Sequence, residues 1–143
     1  MIGKGTKTAL AVAAVALAAC TGPTMTQQGN SSWVYLSGDS EVPPVSTMAT
    51  ANGRFVTLAD GSFSGGFVTN NIEATAAHIH MGARDENGPV ILPLVKTANG
   101  FDVPAGAKLT PEQMVAFKAG KLYVNVHTAK NPNGEIRGQL AGM

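Results

Sequence analysis

Turn-forming residues cut this chain into short stretches at nearly regular intervals, and that punctuation restricts it to a fold of many short strands. Between the breaks lie segments whose apolar residues alternate or form brief β-branched runs: 33–37, 53–59, 62–69, 75–80, 89–95, 121–128 and 135–141. Asp60-Gly61 separates two of them, and both residues tolerate positive φ, which signals a tight hairpin. Asn131-Pro132-Asn133-Gly134 makes a similar connection before the last segment. Gly65-Gly66 inside a segment suggests a bulge. Pro89 and Pro93 confine theirs to an edge, because proline has no N–H for the ladder.

One stretch, 111–119, reads as a helix: Thr110 can cap it, Pro111 suits its first turn, Gln113 completes a capping box and Gly120 can end it. Met114, Val115 and Phe117 are expected to face the core. The whole pattern predicts an all-β fold, an antiparallel Greek-key sandwich or flattened barrel with one short helical insert.

The first 19 residues follow a different logic. Lys4 and Lys7 precede an apolar run from Ala9 to Ala19, which is shorter than the about 20 residues a membrane-spanning helix needs. Leu17-Ala18-Ala19-Cys20 is similar to the lipobox cleaved in bacterial lipoproteins, and Cys20 is the only cysteine. The expected organisation is therefore a signal peptide at 1–19, a lipidated Cys20 opening a flexible tether over 20–32, and a folded domain over 33–143. Acylated Cys20 would anchor the protein to a membrane of the cell envelope, and Thr21 after it favours the outer membrane, facing the periplasm or the cell surface. With that thiol consumed, no disulfide, thiolate ligand or thiolate nucleophile remains.

Of the 10 Lys and Arg residues, Lys4 and Lys7 lie in the leader, which leaves the domain 8 against 9 Asp and Glu. No basic run with interleaved aromatics occurs, so the electrostatic term that dominates nucleic-acid binding is missing.

All three histidines of the chain stand in strand segments. His78 and His80 flank Ile79, so on a strand they share one face, about 6–7 Å apart. In 121–128, Leu122, Val124 and Val126 occupy one face, which leaves Tyr123, Asn125 and His127 on the other. If the two strands are neighbours, three imidazoles converge outside the main core, a donor set used for copper and zinc. Copper is expected first and zinc second, from the order of divalent-metal affinities. Affinity should fall as pH drops through the imidazole pKa near about 6.5. Met81 is a further candidate through its thioether, although strand alternation aims it at the opposite face. Glu41-Val42-Pro43-Pro44 reads as a stiff turn and Asp85-Glu86-Asn87-Gly88 as a solvated one. Glu135 and Arg137 share a strand face and are expected to pair, the alternative being that they support the imidazoles from behind, while Tyr123 and Asn125, on the His127 face, could orient an imidazole or a bound water.

Three ordered blocks carry a family resemblance: Leu36-Ser37-Gly38-Asp39-Ser40-Glu41-Val42-Pro43-Pro44-Val45, then Ala77-His78-Ile79-His80-Met81-Gly82, then Leu122 to Thr128 with Asn131 to Gln139. Over about residues 33–141 the chain resembles the CHRD domain, named from the animal protein chordin. Met81 stands where that pattern commonly has glycine. The resemblance implies a β-sandwich similar to that of copper-zinc superoxide dismutase, which also carries a His-x-His copper motif. The dismutase's bridging histidine and zinc ligands have no counterpart here, because no fourth histidine exists.

The function these features support is a lipid-anchored envelope protein that binds copper, less readily zinc, for buffering, storage or tolerance. The alternatives are a metal-free adhesion module that contacts another protein, and a copper-dependent oxidoreductase of dismutase type.

Overall fold

Alternation along each segment turns one row of apolar side chains inward, and pairing the segments side by side joins those rows into a single core. A computed structural model of the protein describes residues 29–142, together with Gly3. Apart from Gly3, the expected signal peptide, Cys20 and the expected tether as far as residue 28 lie outside the described residues. Within them the strands are β1 (Asn30–Ser37), β2 (Thr50–Thr57), β3 (Phe63–Asn70), β4 (Ala74–Met81), β5 (Val90–Pro93), β6 (Val95–Lys96), β7 (Gly100–Asp102), β8 (Leu122–Thr128) and β9 (Ile136–Leu140). The one α-helix among the described residues, α1 (Pro111–Lys118), precedes β8, and a single 3-10 turn, Gly38–Ser40, follows β1.

All pairings are antiparallel, in the order β5-β4-β8-β9-β1-β2-β3-β7-β6. The sheet curls into a nearly closed, flattened barrel, as the turn pattern predicts. Its remaining gap is spanned by a single stretch of chain. β5 pairs with β4, Leu94 donates to the Ala77 carbonyl at 3.0 Å, and β6 then pairs with β7. Pro89 and Pro93 sit where proline costs no ladder bond in the interior: the Pro89 carbonyl accepts from Met81 N–H at 3.1 Å, just outside β5.

Inside the barrel, Leu36, Ala51, Phe55, Phe67, Ile79, Phe101, Leu122, Val124, Val126, Ile136 and Leu140 are all buried. Phe55 stacks on Phe63 with centroids 5.6 Å apart and leans on Phe67 at 6.4 Å. From α1, Phe117 meets Phe63 edge-on at 6.2 Å. Each such ring contributes about 1.5–3 kcal/mol of transfer free energy. The capping box on α1 is complete: Gln113 N–H donates to Thr110 Oγ1 at 3.2 Å, and Thr110 N–H donates to Gln113 Oε1 at 2.9 Å. The hairpin at Asp60-Gly61 forms as read, with Gly61 at φ +82.

Several expectations need correction. Asn30, Ser31 and Ser32, read as tether, pair with Thr57, Val56 and Phe55. Gly65-Gly66 makes no bulge, since β2 and β3 keep one register from Thr50↔Asn70 to Thr57↔Phe63. Gly65 is required instead for its φ of +115, where a side chain would run into the Arg54 carbonyl. Register shifts occur on β4, between Ala74 and Ala76 against β8 and between Ile79 and His80 against β5. Val115 is 68% exposed, because α1 turns only Met114, Ala116 and Phe117 to the core. β7 is three residues long, too short to show an alternation.

Candidate metal centre

β4 and β8 are neighbours, with His78 opposite Asn125, His80 opposite Tyr123 and Ala76 opposite His127. Ile79, Val124 and Val126 face the core, so the three imidazoles stand together on the outer surface of the barrel wall. Their ring centroids are 4.8 Å apart for His78 and His127, 5.9 Å for His78 and His80, and 6.4 Å for His80 and His127. One ring nitrogen from each lies within 4.8 Å of the others, and among the described residues no other group of His, Cys, Asp or Glu gathers in this way. Met81 is half-buried against the hydrophobic core, on the other side of β4.

Backbone carbonyls orient two of the rings. His80 Nδ1 lies 2.9 Å from the Gly88 carbonyl, and His127 Nδ1 lies 2.9 Å from that of Pro132. Each carbonyl can only accept, so each Nδ1 carries the proton and each Nε2 keeps its lone pair. His80 Nε2 is buried with no hydrogen-bond partner. His127 Nε2 receives the Nδ1–H of His78 at 2.9 Å. A metal ion bound here would take the Nε2 lone pairs of His80 and His127, whose tautomers the carbonyls fix, and would displace the His78 Nδ1–H that now occupies His127 Nε2.

The turns read as plain connections build this arrangement. The hairpin at 131–134 brings the Pro132 carbonyl to His127, held by Glu135 N–H on the Val126 carbonyl at 2.7 Å and Gly134 N–H on that of Asn131 at 3.1 Å. Gly134 has φ +134 and fits against Glu41 Oε1 and Asn125 Nδ2, where no side chain could go. The 82–89 loop, although exposed at Asp85, Glu86 and Asn87, folds back over β4 so that Gly88 reaches His80.

That loop is fastened from below by Arg137, which is only 1% exposed. Its guanidinium donates to the carbonyls of Ala83 at 2.8 Å and Glu86 at 2.9 Å, and to Asn87 Oδ1 at 3.2 Å. The expected Glu135–Arg137 pair does not form. Glu135 instead accepts from Thr128 Oγ1 at 2.6 Å, Thr47 Oγ1 at 2.8 Å and Asn131 Nδ2 at 3.0 Å. Arg137 lies 3.4 Å over the centroid of the Tyr123 ring. On its other side Tyr123 stacks on His80, with centroids 4.8 Å apart and planes 9° from parallel. The Tyr123 hydroxyl also receives Gly88 N–H at 3.0 Å.

Burial governs the charge states. It pushes the pKa values of His78 and His80 below the usual imidazole value, with the neighbouring histidines adding to the effect, so both rings favour the neutral, ligating form. Glu41, also buried, is pushed up to about 7 by desolvation, against the opposing pull of Arg137. The Glu135 carboxyl is held below its ordinary range, first of all by the hydrogen bond from Thr128.

The CHRD domain model matches residues 34–140 of the chain. This chain belongs to the CHRD domain family. No curated protein matches it, and no solved structure does. Within this CHRD domain, the three blocks read from the sequence supply the end of β1 with the segment after it, the histidine strand β4, and the β8–β9 hairpin that carries His127. The polar layer of Glu41, Tyr123, Asn125 and Arg137 beneath the loops was legible only in part, since the burial of Glu41 and Arg137 is not visible in the sequence. Its one legible signal was the shared outward phase of Tyr123, Asn125 and His127.

Proposed function

We propose that this CHRD domain is a lipid-anchored protein of the bacterial cell envelope that binds copper, with zinc second, through His78, His80 and His127. Buffering, storage or tolerance of copper is the role such a site suits. The observation that carries the reading is the gathering of one ring nitrogen from each of His78, His80 and His127 within 4.8 Å of one another, with the Nδ1 atoms of His80 and His127 held by backbone carbonyls so that their Nε2 atoms are free of protons. All three donors are neutral nitrogen, and with no thiolate or carboxylate in the group this suits copper or zinc rather than calcium or magnesium.

The test is a copper titration of the full chain beside a variant carrying His78→Ala, His80→Ala and His127→Ala. Stoichiometric binding by the first and none by the second is expected; equal binding by both ends the proposal. The anchor is tested separately. Cys20→Ala should abolish labelling of the protein by a radiolabelled fatty acid in growing cells, and labelling that persists would remove the lipoprotein assignment.

A second reading, attachment to another protein, draws on Trp33 and Tyr35, which project from one face of β1 at 71% and 62% exposure. It expects Trp33→Ser with Tyr35→Ser to abolish cross-linking of the protein to a partner in intact envelopes while copper binding is unchanged.

A further inference from the structure

Stacked in a column beside the histidines are three side chains of which two can carry charge: the Arg137 guanidinium 3.4 Å over the Tyr123 ring, and the Tyr123 ring 4.8 Å from the His80 imidazole. Resting on the metal-binding reading above, we propose that the buried cation of Arg137, acting through this column, makes the three-histidine centre selective for the cuprous over the cupric ion.

Arg137 has no ion-pair partner among the described residues. Its hydrogen-bond acceptors are two backbone carbonyls and an amide oxygen, all uncharged, and no carboxylate stands within ion-pair distance of it. Glu41, buried, and Asp85, exposed and so screened by solvent, are the acids whose charge acts on it, and desolvation keeps the Glu41 carboxyl partly protonated near neutral pH. A positive charge is therefore held in a low-dielectric wall one aromatic ring away from a ligand. It must oppose an arriving dication more strongly than a monocation. One extra unit charge about 10 Å away, at an effective dielectric near 20, corresponds to a factor on the order of tenfold in affinity.

The donor set acts in the same direction. Three imidazole nitrogens and no carboxylate leave the charge of the metal uncompensated. A cuprous ion is satisfied by two or three such donors, whereas a cupric ion seeks a tetragonal set of four or more. Tyr123 serves here as spacer and orienting surface: it holds guanidinium and imidazole on its two faces without neutralising either. Arg137 is a positioning and charge-setting residue, not a ligand.

The experiment measures both affinities on the full chain by competition, using a chromophoric Cu(I) chelator under anaerobic reducing conditions and an aminopolycarboxylate chelator for Cu(II). Arg137→Gln should lower the ratio of Cu(I) to Cu(II) affinity on the order of tenfold, and Arg137→Lys should retain it. A purely mechanical role for Arg137 would instead move both affinities together and leave the ratio alone. Glu41→Gln, assayed near pH 8 where the wild-type carboxylate is ionised, should raise the ratio severalfold, and it decides the matter if Arg137→Gln does not fold. A ratio unchanged in the folded variants overturns the inference while the metal reading stands. Failure of the wild-type chain to bind either ion overturns both.

Discussion

His78 and His127 share one hydrogen bond, Nδ1 of the first standing 2.9 Å from Nε2 of the second. Because His127 Nδ1–H is committed to the Pro132 carbonyl, the shared proton belongs to His78. Nitrogen-detected NMR of the metal-free protein near neutral pH should therefore show His80 and His127 as Nδ1–H tautomers. Nε2–H signals for these two rings would contradict the ligand orientation described above.

Protons and metal compete for the same lone pairs, so the pH profile of binding reports the imidazole environments. The pKa values of His78 and His80 lie below the ordinary 6.5, with burial as the main cause. Calorimetric copper titrations should accordingly show little change in affinity between about pH 7.5 and 6.5, with the steep loss setting in below. A marked loss already under way within that range would mean the rings are solvated.

Glu41 creates a stability term of opposite sign. Its folded pKa is raised from 4.5 to about 7, so the native state holds a proton that the unfolded chain has released. This contribution is fully present below pH 4.5 and is lost as pH rises through 7. Glu41→Gln should leave stability nearly unchanged at acid pH and increase it by about 1–3 kcal/mol near pH 8, read from urea denaturation. Equal effects at both pH values would show that the carboxyl is not desolvated.

Phe55 is wholly buried between Phe63 and Phe67. Phe55→Ala should destabilise the domain by about 3–5 kcal/mol in the same denaturation assay, since the surrounding rings cannot close the space. A cost below about 1 kcal/mol would indicate a wall that collapses freely around the vacancy.

The strands were legible because their alternation is a local property, and the convergence of histidines followed from it once β4 and β8 proved adjacent. Gly65 was misread because a glycine serving positive φ and one serving a bulge look alike in sequence. Arg137 and Glu135 were misread as a pair for a different reason. They sit two positions apart on the chain, but their partners, in the 82–89 loop and at Thr47, come from segments whose proximity no local pattern reveals. Glu41 likewise read as part of a turn, and its burial appears only when the β8–β9 hairpin closes against it.

The bridging stretch from Val90 to Lys96 divides its bonds between two walls, β4 on one side and β7 on the other. At the point facing His78 it offers Pro93, which has no amide hydrogen to give. Its ladders are short, three paired positions with β4 and two with β7, so local opening there breaks few bonds. Such opening would admit solvent and small solutes through the wall beside the imidazoles.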